Sequence, residues 1–146
     1  MSVKDIMTTN VACCTPQSTI QQVARMMVEH DCGEIPVTDS DNRVVGVVTD
    51  RDICCRAVAA GANCAEIQIS EVMTSPAVCI TPDTSVSECT KLMEDNMIRR
   101  VPVVDSAGCC CGIVSQADLA ERTDGSMLDE LLKEISTPTA SASKAS

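Results

Sequence analysis

Residues 3–53 lie over residues 69–119 at a constant offset of 66 with no gap. Thirteen of the 51 paired positions are identical, among them Met7/Met73, Pro16/Pro82, Pro36/Pro102, Asp39/Asp105, Gly46/Gly112 and Asp52/Asp118. Many of the remaining pairs exchange Ile, Val and Leu. A register held this long marks one supersecondary unit used twice. A single 51-residue unit would bury little core and be marginal alone. Two copies packed about a pseudo-twofold axis remove that difficulty. No other feature constrains the fold as strongly.

Both copies read as the same order of elements. A short helical turn around residues 5–7 leads to an extended piece at 11–14. Pro16 introduces a helix capped by Ser18 or Thr19, with Ile20, Val23, Ala24 and Met27 on one apolar stripe. A strand follows at 34–38, turn residues at 39–42, and a second strand at 43–48. Thr49 and Asp52 open a second helix, which Gly61 ends. The second copy repeats this with an extended piece at 77–80, a helix at 84–96, strands at 100–104 and 110–114, and a helix from Gln116. The chain thus divides into repeat one at 1–61 and a linker with repeat two at 62–125. An amphipathic helix follows at 126–136, with Ser126 and Asp129 as a capping box and Leu128, Leu131, Leu132 and Ile135 as its stripe. Residues 137–146 read as a disordered tail.

Composition narrows the chemistry. Phe, Tyr and Trp are absent, so the core is built from Val, Ile, Leu, Met, Ala and Cys. A planar ligand would be gripped by aliphatic side chains. The formal net charge of −10 argues against nucleic acid as a partner, because phosphate contacts need a basic face. No 18-residue apolar run suggests a membrane span. The N-terminal segment lacks the apolar core of a signal peptide, so a cytoplasmic setting is expected. No Ser-His-Asp arrangement, P-loop or H-E-x-x-H is visible, and the chain is not read as an enzyme.

The most pointed local signal is "GVVTDRD" at 46–52, matched by "GIVSQAD" at 112–118. In the plain structural reading, Thr49 and Asp52 form a capping box at a helix start, and Ser115 and Asp118 form a second. In the chemical reading, the hydroxyl bonds a phosphate oxygen near the helix N-terminus and the carboxylate accepts from two ribose hydroxyls.

Four features together resemble the cystathionine-β-synthase (CBS) domain, in the pair called a Bateman module. They are the tandem repeat, the Met-Thr after the first turn, the Pro-Val-Val-Asp strand at 102–105, and the Gly-to-Asp ending quoted above. The resemblance covers residues 3–119. It implies an α+β fold of two β-α-β-β-α units packed through their sheets with pseudo-twofold symmetry. It also implies two clefts for adenosine-containing ligands such as AMP, ADP, ATP, NAD(H) or S-adenosylmethionine, and a regulatory or sensor role. Thr49 and Ser115 would touch phosphate or ribose, and Asp52 and Asp118 would hold the ribose. The extended pieces carrying Ala12, Cys14, Val78 and Ile80 would turn backbone groups toward adenine. Arg99 and Arg100 stand where the family often contacts phosphate, and Arg51 lies inside the first motif. A homodimer and a regulated partner protein are further implications.

The copies differ where charge matters. Gly33 and Glu34 align with Arg99 and Arg100, while Asp50 and Arg51 align with Gln116 and Ala117. Unequal clefts are expected, with a preference for ligands carrying little phosphate.

Eleven cysteines raise a rival reading, a thiol-based redox or metal-binding protein. A third is an interaction scaffold with degenerate clefts. The repeat serves as an internal control. Cys13 aligns with Cys79; Cys14 and Cys32 align with Ile; Cys89, Cys110 and Cys111 align with Val; Cys109 aligns with Arg43. Cysteine mostly stands where a small apolar side chain is wanted. No C-x-x-C occurs, and successive strand residues face opposite ways, so the Cys109–111 run does not converge on an ion. Cys55 and Cys109 are the expected exposed thiols. His30, the only histidine, reads as a solvated residue at a helix end.

Overall fold

A computed structural model describes residues 1–122. The proposed terminal helix at 126–136 and the tail at 137–146 lie outside the described residues. The first copy contains α1 (Ile20–His30), β1 (Glu34–Thr38), β2 (Val44–Thr49) and α2 (Asp50–Asp52), which runs on as wider π turns through Ile53–Val58. The second contains α3 (Val86–Asn96), β3 (Arg100–Val104), β4 (Cys110–Ser115) and α4 (Gln116–Arg122). Each copy forms one antiparallel hairpin, β1–β2 or β3–β4, with the same register and the same bulge.

Local chemistry explains the repeated residues. Thr19, not Ser18, caps α1: its hydroxyl accepts from Gln22 N–H at 3.2 Å while Gln22 Oε1 accepts from Thr19 N–H at 2.8 Å. Ser18 instead accepts from Thr15 N–H in the preceding turn. Ser85 caps α3 through Glu88 N–H. Asp39 and Asp105 close their hairpins alike, since Oδ1 of each accepts two backbone amides of its turn. The expected first strands shrink to single residues. Cys14 bridges Val37, and Ile80 bridges Val103, both in parallel. The Pro two positions on, Pro16 or Pro82, has no N–H to extend the ladder.

Two equal cores result, and each is completed by the other copy. Val3 and Ile6 are buried with Val86, Met93, Val101, Val103 and Leu119 in the second core. Their equivalents, Ile69 and Val72, are buried with Ile20, Val23, Ile35 and Val48 in the first. The crossing segments are pinned symmetrically. Thr8 bridges Ile113 and Thr74 bridges Val47. The paired glycines make room for this crossing. A Cβ on Gly46 would lie 2.8 Å from Thr74 O, and one on Gly112 would lie 2.6 Å from Met7 Sδ. The hairpins also meet directly: Val44 N–H donates to Gly108 O at 3.0 Å, and Cys110 N–H donates to Asn42 O at 3.3 Å. Those two bonds are exchanged by the pseudo-twofold.

Candidate functional site

Two cavities, of about 530 and 430 Å³, flank the pseudo-twofold axis. Each draws on both copies. The first is lined by Ser115 and Asp118 from repeat two and by Thr8, Asn10 and Ala12 from repeat one. The second is lined by Thr49, Arg51 and Asp52 from repeat one and by Thr74, Pro76 and Val78 from repeat two. The crossing segments produce this exchange, because they carry each extended piece across to the opposite hairpin.

The hydroxyl–carboxylate pairs form capping boxes. Asp52 Oδ2 accepts from Thr49 N–H at 3.0 Å, and Thr49 Oγ1 accepts from Asp52 N–H at 3.0 Å. Ser115 and Asp118 repeat this at 2.8 and 3.1 Å. In each acid one oxygen serves the cap. Asp52 Oδ1 lies 3.8 Å from Arg56 Nε, and that arginine also donates to the carbonyls of Val72 and Met73.

Cys14 and Ile80 depart from the sequence expectation. Neither lines a cavity, and both are buried in the cores. Cys14 N–H donates to Pro36 O, and its carbonyl accepts from Thr38 N–H. Ile80 does the same with Pro102 O and Val104 N–H. Their backbone groups are committed to the hairpins and are not free for a ligand edge.

The residue profile of the CBS domain matches positions 3–57 and 69–125. The chain belongs to the CBS-domain family. This CBS pair is 42% identical over 119 residues to the CBS domain-containing protein YhcV of Bacillus subtilis, covering 82% of this chain and 83% of that protein. It resembles the crystal structure of Hypoxic Response Protein I with two coordinated zinc ions, at a TM-score of 0.78 and 32% identity, covering 85% of this chain and 100% of the other. It also resembles the CBS domain pair of protein MJ0100 in complex with 5′-methylthioadenosine and S-adenosyl-L-methionine. There the TM-score is 0.75 and the identity 27%, over 83% of this chain and 94% of that one. Among the described residues of this CBS pair, no group of three or more His, Cys, Asp or Glu is arranged to hold a metal. No helix of the described residues is long and apolar enough to cross a membrane.

The residue that sequence reading passed over is Glu34. It is 8% exposed, and its Oε1 is buried with no hydrogen-bond partner. Burial pushes its carboxyl up to about 8, with Arg100 opposing the rise and Asp52 adding to it. Glu34 lines both cavities, as do Arg99 and Arg100. The signal was present: Glu34 and Arg100 are equivalent positions, so the pseudo-twofold sets an acid against a guanidinium at the axis. Gly33 leaves the space, since a Cβ there would lie 3.0 Å from both terminal nitrogens of Arg100. His30, read as a solvated helix end, is exposed and also borders the first cavity.

The cysteines divide by environment. Cys14 and Cys89 are buried core residues, and burial pushes each thiol up to about 11. Cys54 and Cys55 are exposed. Cys109 is half-buried rather than exposed, because its thiol donates to Asp41 O of the other hairpin at 3.3 Å. The Cys13 and Cys110 thiols are coupled neighbours across the copies. The shared proton lowers Cys110 to about 7 and raises Cys13.

Proposed function

We propose that this CBS pair is a regulatory module that binds adenosine-containing ligands, of the class of AMP, ADP, ATP, NAD(H) or S-adenosylmethionine. The observation that carries the reading is the composition of the two cavities. Each joins a hydroxyl–carboxylate pair from one copy, Thr49/Asp52 or Ser115/Asp118, to an extended segment from the other, at Val78 or Ala12. The carboxylate oxygen outside the cap is the natural acceptor for ribose hydroxyls. Arg51, Arg99 and Arg100 supply positive charge for phosphate in a chain of net charge −10. Aliphatic walls, including Ile98, Pro102 and Ile113, take the flat base in place of aromatic rings. The complex of MJ0100 with methylthioadenosine and S-adenosylmethionine supports the ligand class.

The role is sensing rather than catalysis, with ligand selecting one arrangement of the copies or of a homodimer by its differential affinity. Isothermal titration with AMP, ATP, NADH and S-adenosylmethionine tests the reading. Binding of at least one is expected, with a loss of about tenfold in Asp52→Asn or Asp118→Asn, since Asn keeps a cap acceptor but loses the charge. Folded protein that gives no heat with any of the four ligands refutes it.

A further inference from the structure

Three residues, Glu34, Arg99 and Arg100, line both cavities and so form a common wall. Among the described residues, neither arginine makes an ion pair, and Arg99 Nε is buried without a partner. Glu34 contributes a buried, unpartnered carboxyl oxygen to the same wall. Away from this wall the cavities differ in charge. The second adds Arg51, which has no side-chain ion pair among the described residues, and Arg56, which is held by Asp52 and two carbonyls. The lining of the first adds no lysine or arginine; its remaining charged or titratable groups are Asp31, Asp118, His30 and Cys32.

Resting on the adenosine-ligand reading, we propose that the two cavities take different charges of ligand: the cavity at Thr49 and Asp52 takes a nucleoside phosphate, and the cavity at Ser115 and Asp118 takes an uncharged nucleoside. A phosphate in the second cavity has Arg51 beside it and draws on the shared Arg99 and Arg100. A second phosphate, in the first cavity, would depend on the same two guanidinium groups already facing an anion. Its other neighbours would be Glu34, Asp31 and Asp118. An uncharged nucleoside meets no such conflict, because the first cavity keeps its hydroxyl–carboxylate pair and its apolar contacts.

The experiment is titration calorimetry on the full chain with AMP, with adenosine, and with adenosine after saturation by AMP. AMP is expected to fill one site, with any second step about tenfold weaker or more. Adenosine is expected to bind the AMP-saturated protein at one further site. Asp52→Asn weakens AMP and leaves the adenosine step on the AMP-loaded protein; Asp118→Asn does the reverse. Arg100→Gln weakens AMP about tenfold and changes adenosine little. Two equal AMP sites, or exclusion of adenosine by AMP, overturns the assignment while leaving the ligand class standing. No binding of either compound, nor of ATP, NADH or S-adenosylmethionine, overturns the underlying reading as well.

Discussion

Replacing Glu34 with Gln should change how stability depends on pH. The folded chain holds the Glu34 proton up to about 8, whereas the ordinary carboxyl value is 4.5. Below 4.5 both states are protonated and the buried acid costs nothing electrostatic. Between these values the unfolded chain gives up a proton that the folded chain keeps, so stability falls as pH rises. The slope is about 1.4 kcal/mol per pH unit. About 3 kcal/mol is lost by pH 7 and about 5 kcal/mol above pH 8, where the loss levels off. Glu34→Gln keeps the shape and removes the titration. Its melting temperature should match that of the parent protein near pH 4.5, apart from a constant offset for the buried amide. The gap in favour of the variant should widen by on the order of 10 °C by pH 7. Differential scanning calorimetry of both proteins from pH 4.5 to 9 reads this directly, and the difference cancels every group the two share. A gap that stays constant across that range would show that Glu34 does not hold its proton on folding, and the reasoning would fail.

Three further outcomes follow from the packing. Ile6→Ala and its equivalent Val72→Ala should each destabilise the copy they cross into, Ile6→Ala by ~2–5 kcal/mol, measured by urea unfolding. Gly46→Ala should cost more than Gly112→Ala, within ~1–3 kcal/mol of overpacking, because the new methyl lies 2.8 Å from the Thr74 carbonyl, whereas at Gly112 the Thr8 carbonyl is 3.1 Å away and the shortest contact is the flexible Met7 side chain. Cys110 should be alkylated by iodoacetamide with a midpoint near pH 7 by peptide mapping, and Cys13→Ala should move that midpoint up toward 9; an unmoved midpoint would mean that the thiols do not share a proton.

The fold was legible because the repeat reports on itself. Hairpin register, the Asp39 and Asp105 turns and the Thr49 cap all follow from local chemistry that occurs twice. The pieces at 11–14 and 77–80 read as extended, and the first strand that the family resemblance implies there reduces to one bridge at Cys14 and one at Ile80, because Pro16 and Pro82 have no N–H to carry the pairing on. The crossing of Val3, Ile6, Ile69 and Val72 was not legible. An offset alignment is blind to which of two equivalent surfaces a segment covers. Glu34 was missed for a related reason. A carboxylate at the head of a buried strand has ordinary meaning until the axis brings Arg100 to face it.

The crossing also decides what a ligand could do. Were each cavity built within one copy, occupancy would stabilise that copy and say nothing about the other. Instead Ala12 reaches Ser115 and Asp118, and Val78 reaches Thr49 and Asp52. The affinity of either cavity therefore depends on how the two hairpins are placed. Among the described residues their direct junction includes the bonds at Val44 and Cys110, the Cys109 thiol bond to Asp41 O and the Arg43–Cys109 bridge. A ligand spanning both copies shifts such a junction only by its differential affinity for the two placements. Arg99, Arg100 and the protonated Glu34 line both cavities, so an anion at this wall would act on both cavities at once.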